Sequence, residues 1–137
     1  MTEARRSPPS PPAMFAVLNW LFAVAFALSA AVQYNDPDPV GWMLVYGAAA
    51  LACLTFGRLR ANVWLTALVL AASAVWAAVW LPRAVATPGF GSVLPSMQSP
   101  NDGVEMTREL FGLALVSGWM GVLLWRARRE RASRGSG

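Results

Sequence analysis

Gln33-Tyr34-Asn35-Asp36-Pro37-Asp38-Pro39 interrupts an apolar run that otherwise extends from Ala13 to Phe56. Two prolines and four polar or acidic groups in seven positions cannot continue a helix, so the run becomes two helices joined by a short, stiff turn. Each Asp-Pro pair also matches a helix start, with Asp as N-cap and Pro in the first helical position. The stretch therefore reads as the hinge of a helical hairpin.

Working outward, the apolar segments are Ala13–Tyr34, Val40–Phe56, Asn62–Leu81 and Leu110–Trp125. A hydrocarbon core about 30 Å thick needs roughly 17–25 helical residues. The first and third segments reach that length, and the second and fourth do so if their helices begin at Pro39 and at Glu105. With 137 residues, 56% of them hydrophobic and 13% charged, the chain has almost nothing left for a soluble domain. The expectation is an all-α membrane protein, a four-helix transmembrane bundle over 14–125 with helices near 14–35, 39–57, 62–81 and 105–125. A Pro-rich tail (1–13) and a basic tail (126–137) should be disordered.

Arginine marks the boundaries. Arg5, Arg6, Arg58, Arg60, Arg126, Arg128, Arg129, Arg131 and Arg134 fall on one side of the four spans, and Arg83 and Arg108 on the other. The positive-inside rule then predicts both termini and the 57–61 connection in the cytoplasm of a multi-pass protein, at the inner membrane in a bacterial cell. This placement also accounts for the net charge of +4 without nucleic acid. The first apolar run exceeds the 7–15 residues of a secretory h-region, which argues against a cleaved signal.

The opposite face collects Asp36, Asp38, Asp102, Glu105 and Glu109. There is no histidine and one cysteine, Cys53, so no disulfide framework, thiolate metal site or imidazole base is available. Glu109 runs directly into Leu110-Phe111-Gly112, which places it at or inside the membrane boundary. Ionisable groups there are costly and are functional candidates by default. Gln33, Asn35, Asp36, Asp38, Glu105 and Glu109 could form an all-oxygen cup, and Asp36, Asp38, Glu105 and Glu109 are its candidate ligands for Ca²⁺, Mg²⁺ or Mn²⁺. The competing reading needs no ligand: Asp36 or Asp38 caps helix 2, and Glu105 and Glu109 favour the first turn of helix 4, with Arg108 pairing at i+3.

Small residues recur at four-residue spacing, Ala67/Ala71 and Ala74/Ala78 in helix 3, Ala114/Gly118 and Ser117/Gly121 in helix 4. Such positions let helices approach closely in lipid, either within the bundle or between copies of the chain. Trp42, Trp64, Trp80 and Trp125 should mark the interfaces, with Trp20, Trp76 and Trp119 packed deeper. Gly57 should end helix 2 and Pro82 helix 3. The connection 82–104 is long enough to be a lid or a binding segment.

Gln33 to Pro39, followed by Trp42 and Tyr46, resembles the signature of the transmembrane protein 220 family. The likeness continues through Val75-Trp76-Ala77 and Arg108-Glu109-Leu110-Phe111-Gly112-Leu113. It implies four helices and marks Gln33, Asn35, Asp36, Asp38, Arg108 and Glu109 as the family's polar positions, with Trp42 and Tyr46 beside them. It implies no reaction. Three functions stay open: a non-enzymatic protein whose polar cluster binds a cation or polar ligand or docks a partner; an accessory subunit of a larger membrane complex; and a lipid-modifying enzyme working through carboxylates.

Overall fold

Helix α1 spans Ala13–Val32 and passes into a 3₁₀ turn, Gln33–Asn35; α2 spans Pro39–Thr55, α3 Asn62–Ala86 and α4 Asn101–Gly135. The computed structural model describes residues 13–60, 62–92 and 101–135. The proline-rich start with Arg5 and Arg6 lies outside the described residues, as does 93–100 in the long connection. Three helices are long and apolar enough to cross a membrane, and α2, with 17 residues, is a shorter apolar helix.

The outside of the molecule is apolar. Val17, Leu21, Val24 and Leu28 form an exposed stripe on α1, and Trp64, Leu68, Val75 and Val79 another on α3. A soluble helix would carry charge at these positions, so this surface fits lipid. Inside, α1 packs mainly on α2 and α3 mainly on α4, while α2 touches all three of its neighbours. Leu113, Val116, Met120 and Leu123 give α4 a fully buried seam at helical spacing. Between α1 and α4 stand aromatic rings instead of a close backbone approach. Trp119 stacks on Phe22 at 4.1 Å and on Phe15 at 6.0 Å between centroids.

Most of the small-residue stripe positions do not pack within the bundle. Ala71, Ala74 and Ala78 are exposed, and a Cβ added at Gly118 or Gly121 would meet no atom within 4 Å. Four-residue spacing selects a helix face without saying which neighbour meets it. Close approach occurs elsewhere. A Cβ at Gly41 would lie 2.8 Å from Trp76 Cη2, and one at Gly112 would collide with the Tyr46 hydroxyl. Ser117 does serve the interface, its Oγ lying 2.8 Å from Ser73 Oγ of α3.

Helix ends show the same mixture. Gly57 has φ +74° and follows Phe56, whose N–H donates to Cys53 O, so α2 ends as expected in a left-handed residue. Pro82, however, does not close α3, which runs four residues further to Ala86. A proline removes one helical hydrogen bond, and membrane helices absorb that loss when packing continues past it. Here Ala84 is fully buried, and Thr87 donates its hydroxyl to Arg83 O at 2.8 Å. At the other extreme α4 continues through the basic segment expected to be disordered. Arginine is a strong helix former, Arg126 pairs with Glu130 at 3.4 Å, and the Arg129 guanidinium lies 4.3 Å from the Trp125 ring centre. The 35-residue helix is roughly 52 Å long, well beyond a bilayer core.

Trp42 is likewise not an interface marker. It is 4% exposed and stacks on Trp76 at 4.6 Å, whereas Trp20, expected to be deep, is 55% exposed.

Candidate functional site

The turn after α1 aims some of its polar side chains inward and others out. Gln33 opens the 3₁₀ turn, and Asp36 N–H closes it by donating to Gln33 O at 2.9 Å. Asp36 Oδ1 then accepts from Asp38 N–H at 3.2 Å, an Asx turn that rigidifies the approach to Pro39. Asp38 occupies the N-cap position of α2 with Pro39 behind it, but its carboxylate makes no capping hydrogen bond. Gln33 and Asp36 are left half-buried, while Asn35 and Asp38 are exposed.

Those two half-buried groups form one wall of a cleft of about 650 Å³. Trp42 and Tyr46 from α2 form its floor, and Glu105, Arg108 and Glu109 from α4 its far wall. Six of the eight ligand-binding candidates, Gln33, Asp36, Trp42, Tyr46, Arg108 and Glu109, thus line one space together with Glu105. Asn35 and Asp38 do not. The four proposed metal ligands are not gathered either: among the described residues no three His, Cys, Asp or Glu side chains group closely enough to hold a metal ion. The turn geometry is the reason, since it sends Asp38 to solvent and engages one Asp36 oxygen in its own backbone.

Two features shape the cleft. Gly112 lies one turn beyond Glu109 and lets the Tyr46 hydroxyl press against the α4 backbone. Behind α4, the turn 87–92 is clamped on the opposite side of the helix. Gly91 N–H donates to Thr107 Oγ1 at 2.9 Å, Thr87 Oγ1 lies 3.3 Å from Met106 Sδ, and any Cβ at Gly103 would strike the Pro88–Phe90 backbone. At about 100° per residue, Gly103, Met106 and Thr107 face away from Val104, Glu105, Arg108 and Glu109. The described part of the connection therefore braces the cleft wall from outside instead of covering the cleft.

Glu109 is the anomalous group. It is half-buried, yet its Oε2 is fully enclosed and has no hydrogen-bond partner among the described residues. A buried carboxylate oxygen without a donor costs more than an ordinary lost hydrogen bond. Arg126 Nε shares that status, but Glu130 Oε1 at 3.4 Å balances its charge and the Phe15 ring lies beneath it at 4.0 Å.

A second set of polar groups escapes a reading based on charge. Asn62, 4% exposed, donates to Ala52 O at 2.7 Å and Thr55 Oγ1 at 2.8 Å, and Thr66 donates to its Oδ1 at 3.3 Å. Asn19 donates to Cys53 O at 2.9 Å and accepts from Trp119 Nε1 at 3.2 Å, tying α1 to α2 and α4. The signal was available: a lone amide inside or bordering an apolar run must find a partner on another helix.

No solved structure matches the chain. The family model described as transmembrane family 220, helix, matches residues 25–125, from the middle of α1 to the last apolar turn of α4. That interval contains every residue lining the cleft. The chain belongs to transmembrane family 220.

Proposed function

We propose that the chain crosses the membrane four times with both termini and the α2–α3 connection in the cytoplasm, and that the cleft on the other face binds a small amine-bearing polar molecule. The observation that carries the second part is Glu109 Oε2, enclosed at the cleft wall without a donor. Rotation of the Glu109 carboxylate about its terminal bond would turn Oε2 into the cleft, where an ammonium group supplies both the missing hydrogen bond and the missing positive charge. Asp36, Glu105 and Glu109 outnumber Arg108 in the lining, so the cleft favours a cationic ligand. Trp42 and Tyr46 add ring faces that attract ammonium groups. The 17 residues of α2 span roughly 26 Å, slightly less than a typical core, a mismatch that local thinning accommodates.

Thermal unfolding of the purified protein tests the ligand class. Ethanolamine or choline should raise the melting temperature, while glycerol and MnCl₂ should leave it unchanged. Stabilisation by MnCl₂ and by neither amine would overturn the assignment. For the topology, an impermeant maleimide should label Asp38→Cys in intact cells and Ser133→Cys only after lysis. The reverse pattern would invert the proposed orientation; Cys53 is buried and gives little background.

A further inference from the structure

A second charged recess lies at the far end of the bundle, where the α2–α3 connection meets the extension of α4. It has a volume of about 160 Å³ and is lined by Arg58 and Arg60 from the connection and by Arg131 and Arg134 from α4. The volume equals about five water molecules at roughly 30 Å³ each. Ala127, Glu130, Arg131 and Arg134 recur at i, i+3, i+4 and i+7, so one stripe of the extension turns toward the connection. Helical order in that extension is what creates the recess.

Its charge is strongly one-sided. Glu130 is the carboxylate in the lining, and it is engaged by Arg126 at 3.4 Å. None of Arg58, Arg60, Arg131 and Arg134 forms an ion pair among the described residues. Arg58 donates through Nη1 to Leu54 O at 3.1 Å, which fixes its guanidinium at the mouth of the recess. Asn62 also lines the space, but its amide is committed to Ala52 and Thr55. The remaining arginines differ: Arg128 and Arg129 do not line the recess, and Arg129 lies against Trp125.

We infer that this recess binds the phosphate group of an anionic membrane lipid. Guanidinium forks match phosphate oxygens in pairs, and the chain carries arginine with no lysine at all. Beside the arginines the surface is apolar and open: Leu59 is 58% exposed and Trp64 79% exposed. A ligand with a phosphate head and acyl tails satisfies both halves of this surface. A general attraction of basic residues to anionic headgroups would involve Arg128 and Arg129 as much as Arg131 and Arg134. A formed recess would not.

Native mass spectrometry in neutral detergent with equal phosphatidylglycerol and phosphatidylcholine separates these cases. The wild-type chain should retain phosphatidylglycerol about tenfold over phosphatidylcholine, the scale expected for one charge-assisted hydrogen bond. Arg58→Gln/Arg131→Gln should abolish the preference, and the charge-matched Arg128→Gln/Arg129→Gln should keep it. Equal loss in both variants would overturn the inference in favour of diffuse attraction. Displacement of the lipid by millimolar inorganic phosphate would overturn the assignment to a lipid. Should the first variant fail to fold, Arg58→Lys/Arg131→Lys keeps the charge. It should lose at least fivefold of the preference, and full retention would also count against the recess.

Discussion

The buried amides at one end of the bundle and the carboxylate at the other are treated in opposite ways. Toward the α2–α3 connection, Asn62 and Asn19 donate their amides to carbonyls and a hydroxyl of α2, and their oxygens accept from Thr66 of α3 and the Trp119 indole of α4. Toward the α1–α2 turn, Glu109 brings a carboxylate into the helix bundle and leaves one oxygen without a donor. The first arrangement is what a membrane protein needs to hold its helices in register. The second destabilises the isolated chain, and the proposed amine ligand would supply the missing donor. Polarity inside the apolar zone is therefore not one signal; whether the group finds a partner separates Asn19 and Asn62 from Glu109.

Substitutions can break this comparison. The largest effect is expected at Gly112, where a side chain would displace Tyr46 from the cleft floor. Gly112→Leu should cost about 3 kcal/mol in detergent unfolding and abolish ligand binding, through overpacking against the ring. Asn62→Ala should cost about 1–3 kcal/mol because Ala52 O and Thr55 Oγ1 lose their shared donor, while the cleft is untouched. Ser73→Ala should cost only about 0.6 kcal/mol, the typical value of an interhelical hydrogen bond in lipid, read by SDS titration. Gly118→Ala sharpens the comparison from the other side. With open space around it, the change should be neutral or add a few tenths of a kcal/mol through helix propensity. A loss above about 1 kcal/mol there would mean that the exposed small-residue face is covered by another copy of the chain.

Much of the architecture was legible in the sequence because hydropathy acts over whole segments. The Asn-Asp-Pro-Asp-Pro break, the Gly57 stop and the four apolar runs all reappear as helix ends and helices. Gln33, Asp36, Arg108 and Glu109 were grouped in advance because helix order brings the end of α1 beside the start of α4. Asn35 and Asp38 could not be sorted from them, since the 3₁₀ turn and the Asx bond decide which side chains face inward. Trp42 and Tyr46 entered the site only through family resemblance. Nothing in their spacing shows that Gly112 makes room for the Tyr46 hydroxyl. Pro82 and the arginine tail depart from expectation for different reasons: packing at Ala84 carries α3 past its proline, whereas pairs within α4 such as Arg126–Glu130 keep the tail helical.

The central claim is that two polar groups inside the bundle are separable, Asn62 serving stability and Glu109 binding. Isothermal titration of choline or ethanolamine, paired with unfolding of the same preparations, compares wild type, Glu109→Gln and Asn62→Ala. The account predicts that Glu109→Gln loses at least tenfold in affinity with stability unchanged or raised, because removing an enclosed charge relieves a cost. Asn62→Ala should lose stability and keep its affinity. Glu109→Gln binding as tightly as wild type, or unfolding as readily as Asn62→Ala, would contradict the account.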